Sequence, residues 1–238
     1  MKCRMLIFIC VLLFVTPLSH AGFLDNVMKG IGVSKDKGTD ENTTVSGLKE
    51  ALSISTKNAV SNVSKMDGYL ANEAIKIMMP EKIRKVADVL KKVGYQKPVD
   101  DFVTSMNRAA EKAAPEAASH FADALKEMTF EDAKGILSGG DTAATDYFKT
   151  KTSDKLYEDF KPIVSSSMSE VGVTKSYKDM MGKYTAIPFM KEESVDLDHY
   201  VTNKSLDGLF YMIAQEEMKI RTDPAARVTD LLKKVFGK

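Results

Sequence analysis

PEKIRKVADVLKKVGYQKPVDDFVTSMNRAA, Pro80 to Ala110, decides the fold class. Pro80 can open a helix because the first turn needs no amide donor. Ile83, Val86, Leu90 and Val93 then recur at helical spacing, and Gly94 supplies a left-handed stop. Pro98 repeats the device, and Val99, Phe102, Val103, Met106 and Ala110 share the apolar face of the next helix. Two consecutive segments with matched start and stop signals and one stripe each describe packed helices.

The same punctuation extends in both directions. Val45, Leu48, Leu52, Ala59 and Val63 mark a preceding helix that Asp67-Gly68 ends. Phe121, Ala122 and Leu125 continue the pattern beyond Pro115, where a break or kink is expected. Thr129 with Asp132 has the form of a capping box before a short helix to Leu137. Ala144, Tyr147, Phe148, Leu156, Phe160, Ile163, Val164 and Val171 follow, with Pro162 expected to force a kink or restart and Gly172 to end the element. A short helix around Tyr177, Met180 and Met181 leads to an irregular stretch from Thr185 to Asp196. Convincing period-two alternation is absent, and Met78 with its neighbours reads as one isolated extended segment. The expectation is an all-α, multi-helix bundle of about eight helices without significant sheet, forming a single domain over 44–238.

The N-terminus reads as an address. Lys2 and Arg4 precede the apolar run Met5 to Val15, and Ser19-His20-Ala21 places small residues where a signal peptidase reads them. Residues 1–21 are therefore expected to be a signal peptide cut between Ala21 and Gly22, with the chain exported, to the periplasm or beyond. The run is far short of the roughly 20 residues a spanning helix needs. Cys10 lies in mid-run, unlike a lipoprotein cysteine. Both cysteines, Cys3 and Cys10, fall within the leader, so the mature chain is expected to be free of disulfides, thiolate metal sites and cysteine nucleophiles. Residues 22–43 read as a flexible tether, with Phe23, Leu24, Val27, Met28 and Ile31 at helical spacing. A short amphipathic helix there is one reading, giving peripheral membrane contact through residues 23–31; a frayed tail is the simpler one.

Charge narrows the partners. Lys and Arg total 34 against 33 Asp and Glu, two of the basic residues belong to the leader, and the signs interleave along the chain. A nucleic-acid binder needs a basic stripe, so none is expected as a partner, and no later segment approaches a transmembrane span. Asn42, Asn62 and Asn203 begin glycosylation sequons, two of them inside helical patterns, and are read as chance.

Candidate chemistry is sparse. Gly139-Gly140-Asp141 superficially suggests a phosphate loop, but Asp141 would repel an anion and is well placed to cap the following helix itself. At about 100° per residue, Leu206, Leu209, Phe210, Ile213 and Ile220 share one arc and Glu217 lands in its middle. A carboxylate on a core-facing arc is either a displaced catalytic acid or an ion pair, and Arg221 one turn on is the simpler answer. Asn203, Asp207 and Tyr211 flank that arc as one wall of a candidate polar cleft; Asn107 and Glu111, one turn apart, could face it, with Arg108 close by in sequence. Glu217 or Asp207 with Glu111 would suit acid–base hydrolysis; a structural network is the simpler reading. His120 and His199 show no metal-ligand spacing, so neither a metal site nor a cofactor is expected. Most methionines occupy apolar positions of helical patterns and read as core, with a Met-lined pocket for an apolar or lipid-like ligand as the alternative.

The strings NRAAEKAAPEA (Asn107–Ala117), GILSGGDTAATDYF (Gly135–Phe148) and SLDGLFYMIAQEEMKIRTDPAARVTDLLKKVFG (Ser205–Gly237) resemble the bacterial domain-of-unknown-function 4197 family. The resemblance spans about Thr44 to the C-terminus. It implies an exported helical bacterial protein and supplies no reaction, ligand or catalytic residue. The functional expectation is thus a binding or protein-interaction module outside the cytoplasm; the alternatives are the carboxylate-dependent hydrolase and the carrier of an apolar ligand.

Overall fold

The computed structural model describes residues 40–190 and 194–236. The expected signal peptide, its cleavage point and the Phe23–Ile31 stripe lie outside them. Helix α1 spans Asp40–Val63, α2 Arg84–Lys92, α3 Gln96–Ala113, α4 Ala117–Glu127 and α5 Phe130–Ser138; α6 spans Ala143–Glu170, α7 Val173–Thr185, α8 Leu197–Thr222 and α9 Asp230–Phe236. Single 3-10 turns cover Glu81–Ile83, Ala114–Glu116 and Pro224–Ala226. No strand occurs among the described residues, so the chain is an all-α bundle. Helix α1 begins four residues before Thr44, inside the stretch expected as tether.

Local signals explain most boundaries. After α2, Gly94 adopts φ +88° and two amides reach back, Tyr95 N–H to Leu90 O at 2.8 Å and Gly94 N–H to Lys91 O at 3.2 Å, satisfying carbonyls that the helix end leaves open. Thr129 and Asp132 close a complete capping box on α5, and the Thr129 N–H is the main reason the Asp132 carboxyl lies below its ordinary value. Pro115 sits in the 3-10 turn that joins α3 to α4. Pro162 does not restart its helix: α6 runs through it as one element. Pro162 and Glu158 are both exposed, so the carbonyl that loses its donor meets water.

Helix α8 organises the core. It packs against α1 and α6, and its buried positions include Val201, Leu209, Phe210, Ile213 and Ile220, the arc read from the sequence together with its neighbours. Phe121 of α4 meets Phe148 of α6 edge-on at 5.4 Å and Phe210 of α8 at 6.0 Å, tying three helices through one aromatic cluster. Between α1 and α2 the chain abandons regular structure. This segment, Ser64–Pro80, places Tyr69, Ile75, Ile77 and Met79 in the core.

Candidate functional site

Glu217 is 4 % exposed, on the apolar arc as expected, and its carboxylate is fully engaged. Oε1 accepts from Ala144 N–H at 3.0 Å, and Oε2 from Thr145 N–H at 2.9 Å and the Thr145 hydroxyl at 2.8 Å. Arg221 adds Nε at 3.0 Å and Nη2 at 2.8 Å, both to Oε1, and Nη2 also reaches Ile136 O at 3.0 Å. Helix α6 therefore receives its N-terminal cap from a helix more than seventy residues downstream. This corrects the expectation for Asp141. The N-cap residue is Thr142, it makes no side-chain cap bond, and Glu217 occupies the free amides instead. A carboxylate holding the positive end of a helix and a guanidinium at once is a structural keystone with no lone pair aimed at a cleft.

Glu111 is 5 % exposed and serves a second network. Its Oε1 accepts from the backbone amides of Tyr69 at 3.1 Å and Leu70 at 3.2 Å, while Oε2 accepts from Arg108 Nη1 at 2.6 Å. Arg108 extends to Asp67 at 2.6 Å, and these two carboxylates raise the guanidinium pKa. One turn earlier on α3, Asn107 holds Ile77 as a neighbouring strand would: Oδ1 accepts the Ile77 amide and Nδ2 donates to the Ile77 carbonyl, each at 2.8 Å. Nδ2 also reaches Val103 O at 2.8 Å. The α3 side chains thus clamp the Ser64–Pro80 segment. Tyr69 completes the docking from the other side, its hydroxyl donating to Ser205 O of α8 at 2.6 Å. Burial, with Glu111 adding to it, pushes that phenol far above its ordinary pKa. Gly208 makes room for the ring, since a Cβ there would stand 2.7 Å from Tyr69 Cε1.

Asp207 stands apart from both carboxylates. It is exposed, pairs with Lys204 at 3.2 Å, and lies ten residues before Glu217, about 15 Å along the helix axis. Glu217, Glu111 and Asp207 therefore belong to three separate hydrogen-bond networks. Asn203 turns back on its own helix, donating to His199 O at 2.9 Å. His199 meets the Tyr157 hydroxyl at 2.7 Å, and His120 meets Asp159 at 3.3 Å. Among the described residues no group of three or more His, Cys, Asp or Glu is placed to hold a metal ion.

Of the three residues expected to wall a cleft along α8, Asp207 and Tyr211 line an open groove and Asn203 does not, and the opposite wall differs from the expected one. Asp207 and Tyr211, joined by Tyr200 and Lys204, line one side of an open groove of about 380 Å³; Lys76 and Met78 of the clamped segment line the other, above Gly208. Asn107 lies behind this wall rather than on it. The Tyr200 hydroxyl donates to Met78 O at 2.9 Å, pinning the two walls together at one end, and burial raises its pKa. Met78 and Tyr211 are exposed apolar surface, and the two lysines set cationic groups beside them. The sequence alone does not single out Lys76 or Tyr200, because Tyr200 falls on a polar edge of its helix and Lys76 in a short extended run whose partner the sequence does not show.

The fold and groove define an all-helical domain in which Glu217, Glu111 and Asn107 hold helices and the Ser64–Pro80 segment together and an open groove runs between α8 and that segment. The chain belongs to the DUF4197 family, described as proteins of unknown function, whose family model matches residues 38–237. Comparison with curated proteins and with solved structures gives no match. No helix among the described residues is long and apolar enough to cross a membrane.

Proposed function

We propose that this protein is a binding or protein-interaction module acting outside the cytoplasm, and that its recognition site is the groove between α8 and Lys76–Met78. The extracytoplasmic placement rests on the leader-like first twenty-one residues, and on the periplasm as the nearest compartment such a leader serves. One observation carries the choice of site. Glu217 and Glu111, two of the buried carboxylates, spend their lone pairs on backbone amides, a threonine hydroxyl and arginines, and a third, Glu216, is held by Asn58 and Lys219, whereas the groove presents Lys76, Met78 and Tyr211 to solvent beside the Lys204–Asp207 pair on a scaffold clamped from behind. Rigid aromatic and cationic groups side by side suit a partner segment that sets an acidic group next to an apolar one.

Selection from a random peptide display library tests this, with counter-selection against Tyr211→Ala. The expected result is enrichment of sequences pairing an acidic with an apolar residue, lost on the variant. Enrichment that Tyr211→Ala leaves unchanged, or without an acidic position, contradicts the assignment.

A further inference from the structure

A second surface lies away from the groove. After α7 the chain makes a tight turn over Ile187–Met190, closed by Met190 N–H to Ile187 O at 3.2 Å, with Pro188 and Phe189 at its centre. Phe189 has φ +69°, the left-handed position of a type II turn, where glycine or asparagine is usual and a bulky side chain is strained. Its ring is 101 % exposed. The backbone therefore holds a large apolar side chain wholly in water at a conformational cost, on a turn that Pro188 stiffens. Neighbouring chain ends add to the same region: α7 packs on α2 and α3, and Lys183, six residues before Phe189, stacks over the Tyr95 ring at 5.4 Å. Val93 and Tyr95 are exposed there. Helix α2 carries Lys91 and Lys92 in its last turn and α7 carries Lys183 in its last turn. Asp88 and Asp179, one turn back on each helix, form no ion pair with them among the described residues. Lys191, Glu192 and Glu193 lie outside those residues.

We propose that this end of the bundle docks on an anionic lipid surface, with the Phe189 ring entering the interface and Lys91, Lys92 and Lys183 meeting the headgroups. Charge complementarity selects that occupant. Lys91 and Lys92 directly precede exposed Val93 and Tyr95, and Lys183 lies over the Tyr95 ring six residues before Phe189, all three without a carboxylate partner among the described residues, the combination by which peripheral proteins hold a membrane: an apolar ring gains burial and each lysine gains from the negative surface potential. A protein groove would also accept the ring, but gives no reason for three lysines without a carboxylate partner at the neighbouring helix ends.

The chain has no tryptophan, so Phe189→Trp creates a single fluorescent reporter in the intact protein. Vesicles containing phosphatidylglycerol should shift its emission to the blue, vesicles of phosphatidylcholine alone should not, and high salt should reverse the shift. Met66→Trp is the control, since Met66 is exposed beside Asp67, which pairs with Arg108, roughly 20 Å along α3 from Tyr95. It should stay unshifted, which also separates this surface from contact made through residues 23–31. In co-sedimentation, Phe189→Ser should weaken vesicle binding about tenfold or more, and each Lys→Gln at 91 or 92 about fivefold. No shift at position 189 with either vesicle, or equal shifts with both, overturns the proposal. A shift produced only by soluble protein from the same compartment would also overturn it and assign the ring to a protein partner.

Discussion

The Glu217 carboxylate lies across the first turn of α6, 2.9 Å from the amide and 2.8 Å from the hydroxyl of Thr145. The two residues are joined by neither sequence proximity nor a shared helix. Their bond fixes where α8 meets the start of α6, while the Glu217–Arg221 pair extends the same contact to the Ile136 carbonyl at the end of α5. Two helix ends, the start of α6 and through Arg221 the end of α5, are thus tied to one carboxylate on α8.

Replacing Glu217 by Gln should therefore cost about 3 kcal/mol, because it leaves the half-buried Arg221 without its counter-charge and turns an amide NH2 toward backbone donors. Urea denaturation at neutral pH measures this. Unchanged or raised stability contradicts the structural role, since strained functional acids usually relieve stress when neutralised.

The Glu217–Arg221 pair was legible in the sequence, because both partners lie on one helix at the favourable spacing. The cap on α6 was not. It joins positions 144–145 to 217 through the fold alone, and Asp141, adjacent to the helix start, was the local choice. Spacing on α3 points Asn107 and Glu111 at Asp207 and Tyr211, but they bind Ser64–Pro80 instead, a segment in which only Ile75, Ile77 and Met79 alternate, too short a run to show where it packs. Helix positions and the α8 arc were written in periodicity and caps. What lies between helices is set by packing and by hydrogen bonds between distant residues, which periodicity does not encode.

Asn107→Ala should cost about 3 kcal/mol, because it strips the buried Ile77 amide and carbonyl of their partner. Hydrogen exchange is the sharper readout: the Ile77 amide, protected in the parent chain, should exchange much faster while amides at the centre of α6 stay protected. Equal protection at Ile77 would show that something other than Asn107 holds the groove wall.

Gly208→Ala should destabilise by about 1–3 kcal/mol despite alanine's better helix propensity, because its Cβ would stand 2.7 Å from the Tyr69 ring. Combined with Tyr69→Leu the cost should shrink, since the clash partner is gone. A double-mutant cycle of urea midpoints decides it, and strict additivity would contradict the close packing.

Tyr69 predicts an alkaline limb. Its folded-state pKa is raised above the ordinary tyrosine value near 10, chiefly by burial, so the folded chain keeps a proton that the unfolded chain releases. The associated stability is fully present below about pH 10 and declines as pH rises above it. Between pH 9 and 11 the parent chain should lose stability more steeply than Tyr69→Phe; equal slopes would mean that the phenol ionises freely in the folded state.

The central division of labour, buried carboxylates for the fold and the α8 groove for recognition, is tested most directly by calorimetric titration of a groove-selected peptide into two variants, alongside their thermal melts. Tyr211→Ala should weaken binding at least about tenfold with Tm nearly unchanged. Glu217→Gln should lower Tm by about 6 °C or more while binding, measured well below the transition, stays intact. The reverse pattern, peptide affinity lost in Glu217→Gln and kept in Tyr211→Ala, would contradict the account.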